Sequence, residues 1–384
     1  MKKMISVTLC IILALSMSVI AFADDGNAIA DSLSAKSAIL MEISSGEVLM
    51  SKNPDEKLPP ASITKIMTLL LVMEALESEK IALDDVVTAS RNASSKGGSQ
   101  IWLKDGEQMT VHELLKATVI ASANDASTAL GEFVAGDEAT FIAMMNQRAK
   151  ELGMVNTNFE NCSGLDDDTD NHYSTARDIA IMSCELMKHD KIREYTSIWT
   201  DTLRDGETSL VNTNRLIRFY DGATGLKTGT TSKAGYCVSA TAERNGVHLV
   251  AVVLNSNSST ERFEDAKKML NWGFANYSVY EPKVDASLLT DVSVLYGVEN
   301  SVSPIIKNAN PVLVKKGVEG NITQRIDICV DVEAPVEKGQ KLGTIYFEAD
   351  DKIITSCDII SENFVERRSW SFVFELLWSC FSKK

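Results

Sequence analysis

Ser62-Ile63-Thr64-Lys65, Ser122-Ala123-Asn124 and Lys227-Thr228-Gly229 occur in that order along the chain. Their side chains are those of a serine acyl-transfer site with a lysine base. A serine hydroxyl is a poor nucleophile until a base takes its proton. Three positions apart on a helix, Ser62 and Lys65 share one face with Cβ atoms about 5–6 Å apart, so the amine can reach the hydroxyl directly. Lys65 acts as a base only when neutral. Burial on an apolar helix lowers its pKa, and a second ammonium from Lys227 lowers it further. At the helix start, Ser62 also presents its backbone N–H to a developing oxyanion, assisted by the helix dipole.

Ser122 and Asn124 are expected to enter from a loop between helices. The hydroxyl can relay a proton to a leaving amine, and the amide can bond both Lys65 and a substrate backbone. Helix capping is a second use for the same residues, and the two roles are compatible. Lys227-Thr228-Gly229 lies on a predicted strand, whose edge offers backbone groups to an extended peptide. Gly229 permits close approach, and the Thr230 N–H is the natural second oxyanion donor. A phosphate-binding loop is excluded because Leu226 stands where that motif needs glycine. His112-Glu113-Leu114-Leu115-Lys116 lacks the second histidine of a zincin, and no G-x-S-x-G elbow surrounds Ser62. The four histidines are scattered, so neither metal nor cofactor is expected.

The elements that must hold these groups are legible in the pattern. Residues 38–43 and 47–50, joined through Ser45-Gly46, read as a β-hairpin. Pro59-Pro60 breaks the chain, and a central, buried helix is expected from about Ser62 to Glu77, since Ile66 to Val72 is apolar nearly all round. A capping-box pattern at Thr110–Glu113 opens a helix that delivers Ser122 at its end. Further helices are expected near Asn124 and Ser174. Strands follow over 225–230, 236–242 and 248–254, the last two joined by the hairpin turn Asn245-Gly246. Strands outside and helices between them indicate an α/β (α+β) catalytic domain with an antiparallel sheet and a helical cluster. From Tyr277 the texture becomes that of a small all-β domain, with Ile326, Ile328, Val330 and Val332 alternating with acidic residues.

The two ends of the chain carry different signals. Lys2 and Lys3, an apolar run from Ile5 to Ile20 and Ala21-Phe22-Ala23 read as a secretory signal peptide cleaved after Ala23. The C-terminal stretch sets Trp370, Phe374, Leu377, Trp378 and Phe381 between Arg367-Arg368 and Lys383-Lys384. It is too short to span a bilayer and is suited to lie in the membrane interface. The expected organisation is a signal peptide over 1–23, a catalytic domain over 24–276, a β-rich domain over 277–365 and an amphipathic anchor over 366–384. A formal net charge of −15 argues against nucleic acid as a partner. The cysteines at 162, 184, 237, 329, 357 and 380 show no C-x-x-C pair. Buried free thiols are expected, with Cys329–Cys357 the one pairing to test.

Pro60-Ala61-Ser62-Ile63-Thr64-Lys65, Ser122-Ala123-Asn124-Asp125-Ala126, Tyr173-Ser174-Thr175-Ala176 and Gly225-Leu226-Lys227-Thr228-Gly229 together resemble the serine-type D-alanyl-D-alanine carboxypeptidases. These are the low-molecular-mass penicillin-binding proteins of the bacterial cell wall. The resemblance covers nearly the whole mature chain and implies a penicillin-binding-protein/β-lactamase-like catalytic fold. It implies removal of the terminal D-Ala from the peptidoglycan stem pentapeptide through a Ser62 acyl-enzyme, with β-lactams as covalent inhibitors of the same serine. The catalytic set is then Ser62, Lys65, Ser122, Asn124 and Lys227, with Thr228, Gly229 and Thr230 binding substrate. The family's carboxylate-holding arginines resemble Arg215 and Arg262. The implied location is the outer face of the cytoplasmic membrane, peripherally attached. Ala123 stands where many members have glycine, and Thr230 occupies a variable position; neither removes a functional group. A class A β-lactamase would need an E-x-x-L-N context that residues 160–163 do not supply. A DD-endopeptidase and a non-catalytic peptidoglycan-binding role are the other readings.

Overall fold

The N-terminal hairpin forms as β1 (Ser37–Glu42) and β2 (Val48–Lys52), with a register shift at Leu40/Met41. The computed structural model describes residues 26–382 apart from 168, 285–288 and 308, so the expected signal peptide lies outside the described residues. The late strands are β3 (Ala223–Thr231), β4 (Gly235–Arg244) and β5 (Val247–Ser256). Asn245 and Gly246 take positive φ (51° and 78°), as a two-residue turn matching the twist of its strands requires. The sheet order is β2-β1-β5-β4-β3. β1 runs antiparallel to both β2 and β5, and β3 runs antiparallel to β4. Because Ile39 pairs with Val252, the two ends of the catalytic region close one sheet and everything between must pack on it. β3 is left as an edge strand.

The insertion between β2 and β3 is the helical cluster. Its centre is α1 (Lys65–Glu77), buried from Lys65 through Met73, as its nearly uniform apolar character requires. Around it lie α2 (Val111–Lys116), α3 (Asn124–Ala135), α4 (Glu138–Glu151) and α5 (Ala176–Met187). Gly131 on α3 lets the Phe141 ring of α4 approach: a Cβ there would lie 2.7 Å from Phe141 Cδ1. α6 (Ser259–Asn276) follows β5.

Two local expectations change. The helix expected from Ser62 begins as a 3-10 turn over Ala61–Thr64, with α1 starting at Lys65. Ala61 takes φ +48°, and Gly164 and Gly229 pack against it where a Cβ on either would collide or crowd. The helix opened by the capping box at Thr110 and Glu113 turns π-helical over Ala117–Ala121 before it ends.

The described residues divide into two compact units, one over 26–244 and 248–273, the other over 245–247 and 274–382. The second contains a four-stranded antiparallel sheet in the order 304–307, 352–361, 341–349, 323–328, and a three-stranded sheet of 301–302, 292–295 and 331–333. Ile345, Phe347, Ile359, Val336 and Val365 form its core. The alternating run from Ile326 to Val332 is not one strand: the first strand stops at Ile328, the next starts at Asp331 in the other sheet, and Val330 between them is 87% exposed. α7 (Trp370–Ser382) ends the chain with Trp370 91% exposed and Phe374, Trp378 and Phe381 also facing out. Among the described residues no helix is long and apolar enough to cross a membrane. Cys162, Cys184, Cys237 and Cys357 are buried free thiols and Cys329 is an exposed one, so the Cys329–Cys357 pairing is absent.

Phe141→Ala removes a fully buried ring from the α3/α4 contact. It is expected to lower the unfolding free energy of the catalytic unit by about 3–5 kcal/mol, read from the shift of its denaturant midpoint at unchanged slope.

Candidate active site

Ser62 lies on the 3-10 turn, partly exposed, and Lys65 on the first turn of α1 with no exposed surface. The Lys65 Nζ is 3.0 Å from Ser62 Oγ, 2.5 Å from Asn124 Oδ1 and 2.6 Å from the Ser163 carbonyl oxygen. Burial lowers the Lys65 pKa to about 7, against a weaker upward pull from Cys162 and Asp125. A neutral amine has two protons and one lone pair. The two carbonyl-type oxygens accept the protons, which leaves the lone pair for Ser62. The amine is thereby aimed as well as neutralised.

Asn124 is the first residue of α3, and its amide orientation is fixed. Nδ2 donates to the Gly97 carbonyl at 2.7 Å while Oδ1 accepts from Lys65, so one amide proton remains free. Ser122 closes the π-helical turn in the left-handed region (φ 62°, ψ 30°). That conformation is costly for a residue with a Cβ and is found where the surroundings over-determine it. Here Lys227 Nζ donates to Ser122 Oγ at 2.7 Å. Lys227 is itself buried on β3, and desolvation, with Lys65 and Arg262 as neighbouring cations, pushes its pKa well below the ordinary lysine value.

Gly229 is where β3 meets the nucleophile turn. A Cβ on it would lie 2.8 Å from the Pro60 carbonyl oxygen and 3.1 Å from Ser62 N, so only glycine lets the strand lie this close to the serine. Ser62 N and the adjoining Thr230 peptide are thus neighbours across the cleft, as an oxyanion site requires. Thr228 Oγ1 donates to Thr213 Oγ1 at 2.7 Å, which ties the β3 edge to the segment before Arg215.

The structure brings together Ser62, Lys65, Ser122, Asn124, Lys227, Thr228, Gly229 and Thr230. The two arginines differ from one another. Arg215 is exposed at the start of a short helix over Leu216–Phe219 and makes no side-chain hydrogen bond or ion pair among the described residues. Arg262 is 7% exposed. Its Nη1 donates to the Gly229 carbonyl, Thr230 Oγ1 and the Cys237 carbonyl at 3.0, 2.9 and 3.2 Å. Its donors face the strand and not the cleft.

Several contributors carry no sequence signal. Ser163 acts through its backbone carbonyl. It is placed by Asn161, whose Oδ1 accepts from Ser163 N and Gly164 N, and by Thr68, which donates to the Cys162 carbonyl at 2.6 Å. A Cβ on Gly164 would sit 1.9 Å from the Ala61 carbonyl oxygen. His172 accepts from Glu160 N at Nδ1, so Nε2 carries the proton and donates to Thr64 Oγ1 at 2.7 Å. Burial holds its pKa down to about 4, so it stays neutral and fastens the 160–172 loop to the serine turn. The Asn-x-Ser-Gly string at 161–164 was the available hint, as a side-chain-capped turn. Asp125, buried beside Asn124, accepts from Ile101 N and Leu103 N and fixes the facing loop.

Residues 25–258 match the D-alanyl-D-alanine carboxypeptidase family, and residues 277–367 match the penicillin-binding protein 5 C-terminal domain. The chain is 41% identical over 368 residues to D-alanyl-D-alanine carboxypeptidase DacF of Bacillus subtilis, covering 94% of each chain. Penicillin-binding protein 5 from Haemophilus influenzae superposes with a TM-score of 0.74 at 32% identity, covering 87% of this chain and 98% of that one. Penicillin-binding protein D2 from Listeria monocytogenes in its ampicillin-bound form aligns at 36% identity and a TM-score of 0.58, covering 63% of this chain and 98% of that one. The aimed lysine, the paired backbone donors and these likenesses lead to one conclusion: the chain belongs to the D-alanyl-D-alanine carboxypeptidase family of serine peptidases.

Proposed function

We propose that this protein removes the terminal D-alanine from peptidoglycan stem pentapeptides through a Ser62 acyl-enzyme, and that β-lactams acylate the same serine. The observation that carries the reading is the Lys65 amine. It lies 3.0 Å from Ser62 Oγ, with its other contacts taken by Asn124 and Ser163.

The stem peptide adds to the β3 edge as an extended strand. Lys65 takes the Ser62 proton as Oγ bonds to the penultimate D-Ala carbonyl carbon, and the oxygen gains negative charge between Ser62 N–H and Thr230 N–H. The C–N bond to the terminal D-Ala then breaks. Ser122, bonded to Lys227, passes its proton to the departing amine and regains one from the Lys65 ammonium, so the proton taken from Ser62 ends on the leaving D-Ala and Lys65 is neutral again. The free amide proton of Asn124 holds the substrate backbone. With Lys65 neutral again, water attacks the ester carbonyl carbon as Lys65 takes its proton, and Lys65 returns that proton to Ser62 Oγ as the ester C–O bond breaks, releasing the shortened peptide acid and restoring the serine. Arg215, with Thr228 and Lys227, takes the terminal carboxylate; that preference makes the enzyme an exopeptidase. The organisation proposed with this function is a signal peptide over 1–23, a catalytic domain over 24–276, a β-rich domain over 277–365 and a membrane anchor over 366–384. The apolar side chains exposed on α7 support attachment to the outer face of the cytoplasmic membrane, since each is worth about 1.5–3 kcal/mol when fully buried.

Ser62→Ala is expected to lose both fluorescent-penicillin labelling and release of D-Ala from a stem pentapeptide, with an unchanged circular-dichroism spectrum. Mass spectrometry of the product identifies the exopeptidase by the loss of one alanine. Cleavage of a cross-linked dimer without that loss would identify an endopeptidase.

Because the Lys65 pKa is lowered to about 7, the amine is protonated and idle below that pH and competent above it. The second-order acylation rate should climb about tenfold per pH unit below 7 and level off above it. A flat profile between pH 5 and 8 would exclude Lys65 as the base.

Truncation after Glu366 should release an active enzyme from the membrane fraction; a truncated protein that still sediments with membranes would overturn the anchor.

A further inference from the structure

Arg262 is a buried cation without a counter-ion. No carboxylate pairs with it among the described residues, and its Nε has no hydrogen-bond partner. The rings of Tyr236 and Phe263 lie 5.6 and 4.8 Å from its guanidinium carbon, and Nη2 reaches only Ser259 Oγ at 3.4 Å. A positive charge enclosed in this way is poorly placed to grip a substrate carboxylate. It is well placed to act on what it touches, and what it touches is the peptide that precedes Thr230.

The geometry of that peptide settles the direction of the effect. Nη1 contacts the Gly229 and Cys237 carbonyl oxygens together, at 3.0 and 3.2 Å. Gly229 and Cys237 face each other across β3 and β4, so the Gly229 oxygen points into the gap between those strands. In a trans peptide the next N–H points the opposite way. The Thr230 N–H therefore points to the open edge of β3, where Ser62 stands. Thr230 Oγ1 adds a second bond to the same oxygen, donating to Gly229 O at 2.7 Å while accepting from Nη1 at 2.9 Å.

We infer that Arg262 is a positioning residue for the oxyanion: its guanidinium polarises the Gly229–Thr230 peptide and so strengthens the Thr230 N–H as a donor to the tetrahedral intermediate. Hydrogen bonds in a chain reinforce one another, and a charged donor at one end of an amide makes the other end a better donor. The inference rests on the Ser62 acyl-enzyme reading of the site. It separates two roles that residue type alone leaves merged: Arg215, exposed, meets the carboxylate, and Arg262, enclosed, tunes the oxyanion.

The test compares wild type, Arg262→Gln, Arg262→Lys and Arg215→Ala in the full chain. The substrates are an acyl-D-Ala thioester with a thioglycolate leaving group and its methyl ester, which lacks the carboxylate. Arg262→Gln is expected to slow acylation on the order of tenfold on both thioesters, less than removal of a whole oxyanion donor. Arg215→Ala should lose rate on the thioglycolate alone. In the penicillin acyl-enzyme, the ester carbonyl stretch should move to higher wavenumber in Arg262→Gln, and by less in Arg262→Lys, which keeps the charge and loses the planar fork.

If Arg262→Gln loses rate only with the carboxylate-bearing substrate, or leaves the carbonyl band unmoved, the inference is overturned. If Arg262→Gln does not fold, Arg262→Lys decides by the same two readings. A wild-type enzyme that is not acylated at Ser62 would instead sink the reading of the site itself.

Discussion

An amine that must stay uncharged beside a serine is the constraint on which this catalytic unit turns. Water would protonate Lys65, and a carboxylate partner would lock it in the charged form. The fold avoids both. It places the residue with no exposed surface at the root of a buried, largely apolar helix and surrounds Nζ with neutral oxygens from Asn124, Ser163 and Ser62. Asp125, the nearest acid in sequence to those partners, is turned onto the backbone of Ile101 and Leu103. Each oxygen arrives from a different segment, so helix, helix junction and loop must all close before the base exists.

Sheet closure makes that convergence possible. β1 and β5 are more than two hundred residues apart in sequence and lie side by side, with the helical cluster threaded between β2 and β3. The serine turn then abuts Gly229, and the cationic side chains of Lys65, Lys227 and Arg262 collect in one region of low dielectric. Burial depresses Lys227 most, and Lys65 and Arg262 push it further the same way. Lys65 itself owes its lowered pKa to burial, and not to the second ammonium that the sequence led one to expect from Lys227.

How much of this was legible in the sequence varied with the range of the interaction. Ser62 and Lys65 are readable because their relation is local, three positions on one helical face. The capping box at Thr110 and the hairpin at Asn245-Gly246 are readable for the same reason. The 3-10 start at Ala61 was not, and its packing partners Gly164 and Gly229 are distant in sequence. Ser163 contributes a carbonyl, which every residue has, so its type says nothing. Val330 fits an alternating strand pattern and instead marks the crossing between two sheets, because alternation does not record where a strand changes partner. Arg262 was visible as an arginine, and only its enclosure shows which way its donors face.

The free edge of β3 has a consequence beyond recognition. An unpaired strand edge will accept any extended chain, including another copy of itself, and proteins ordinarily blunt such edges. Here the edge is left open beside Ser62, and in the proposed reaction its occupant is joined to that serine and cut. On that proposal, turnover itself keeps the open edge from being held by the chains it accepts. On the same proposal a β-lactam would block the groove, because its opened ring stays attached to Ser62 where a cut peptide's terminal residue departs.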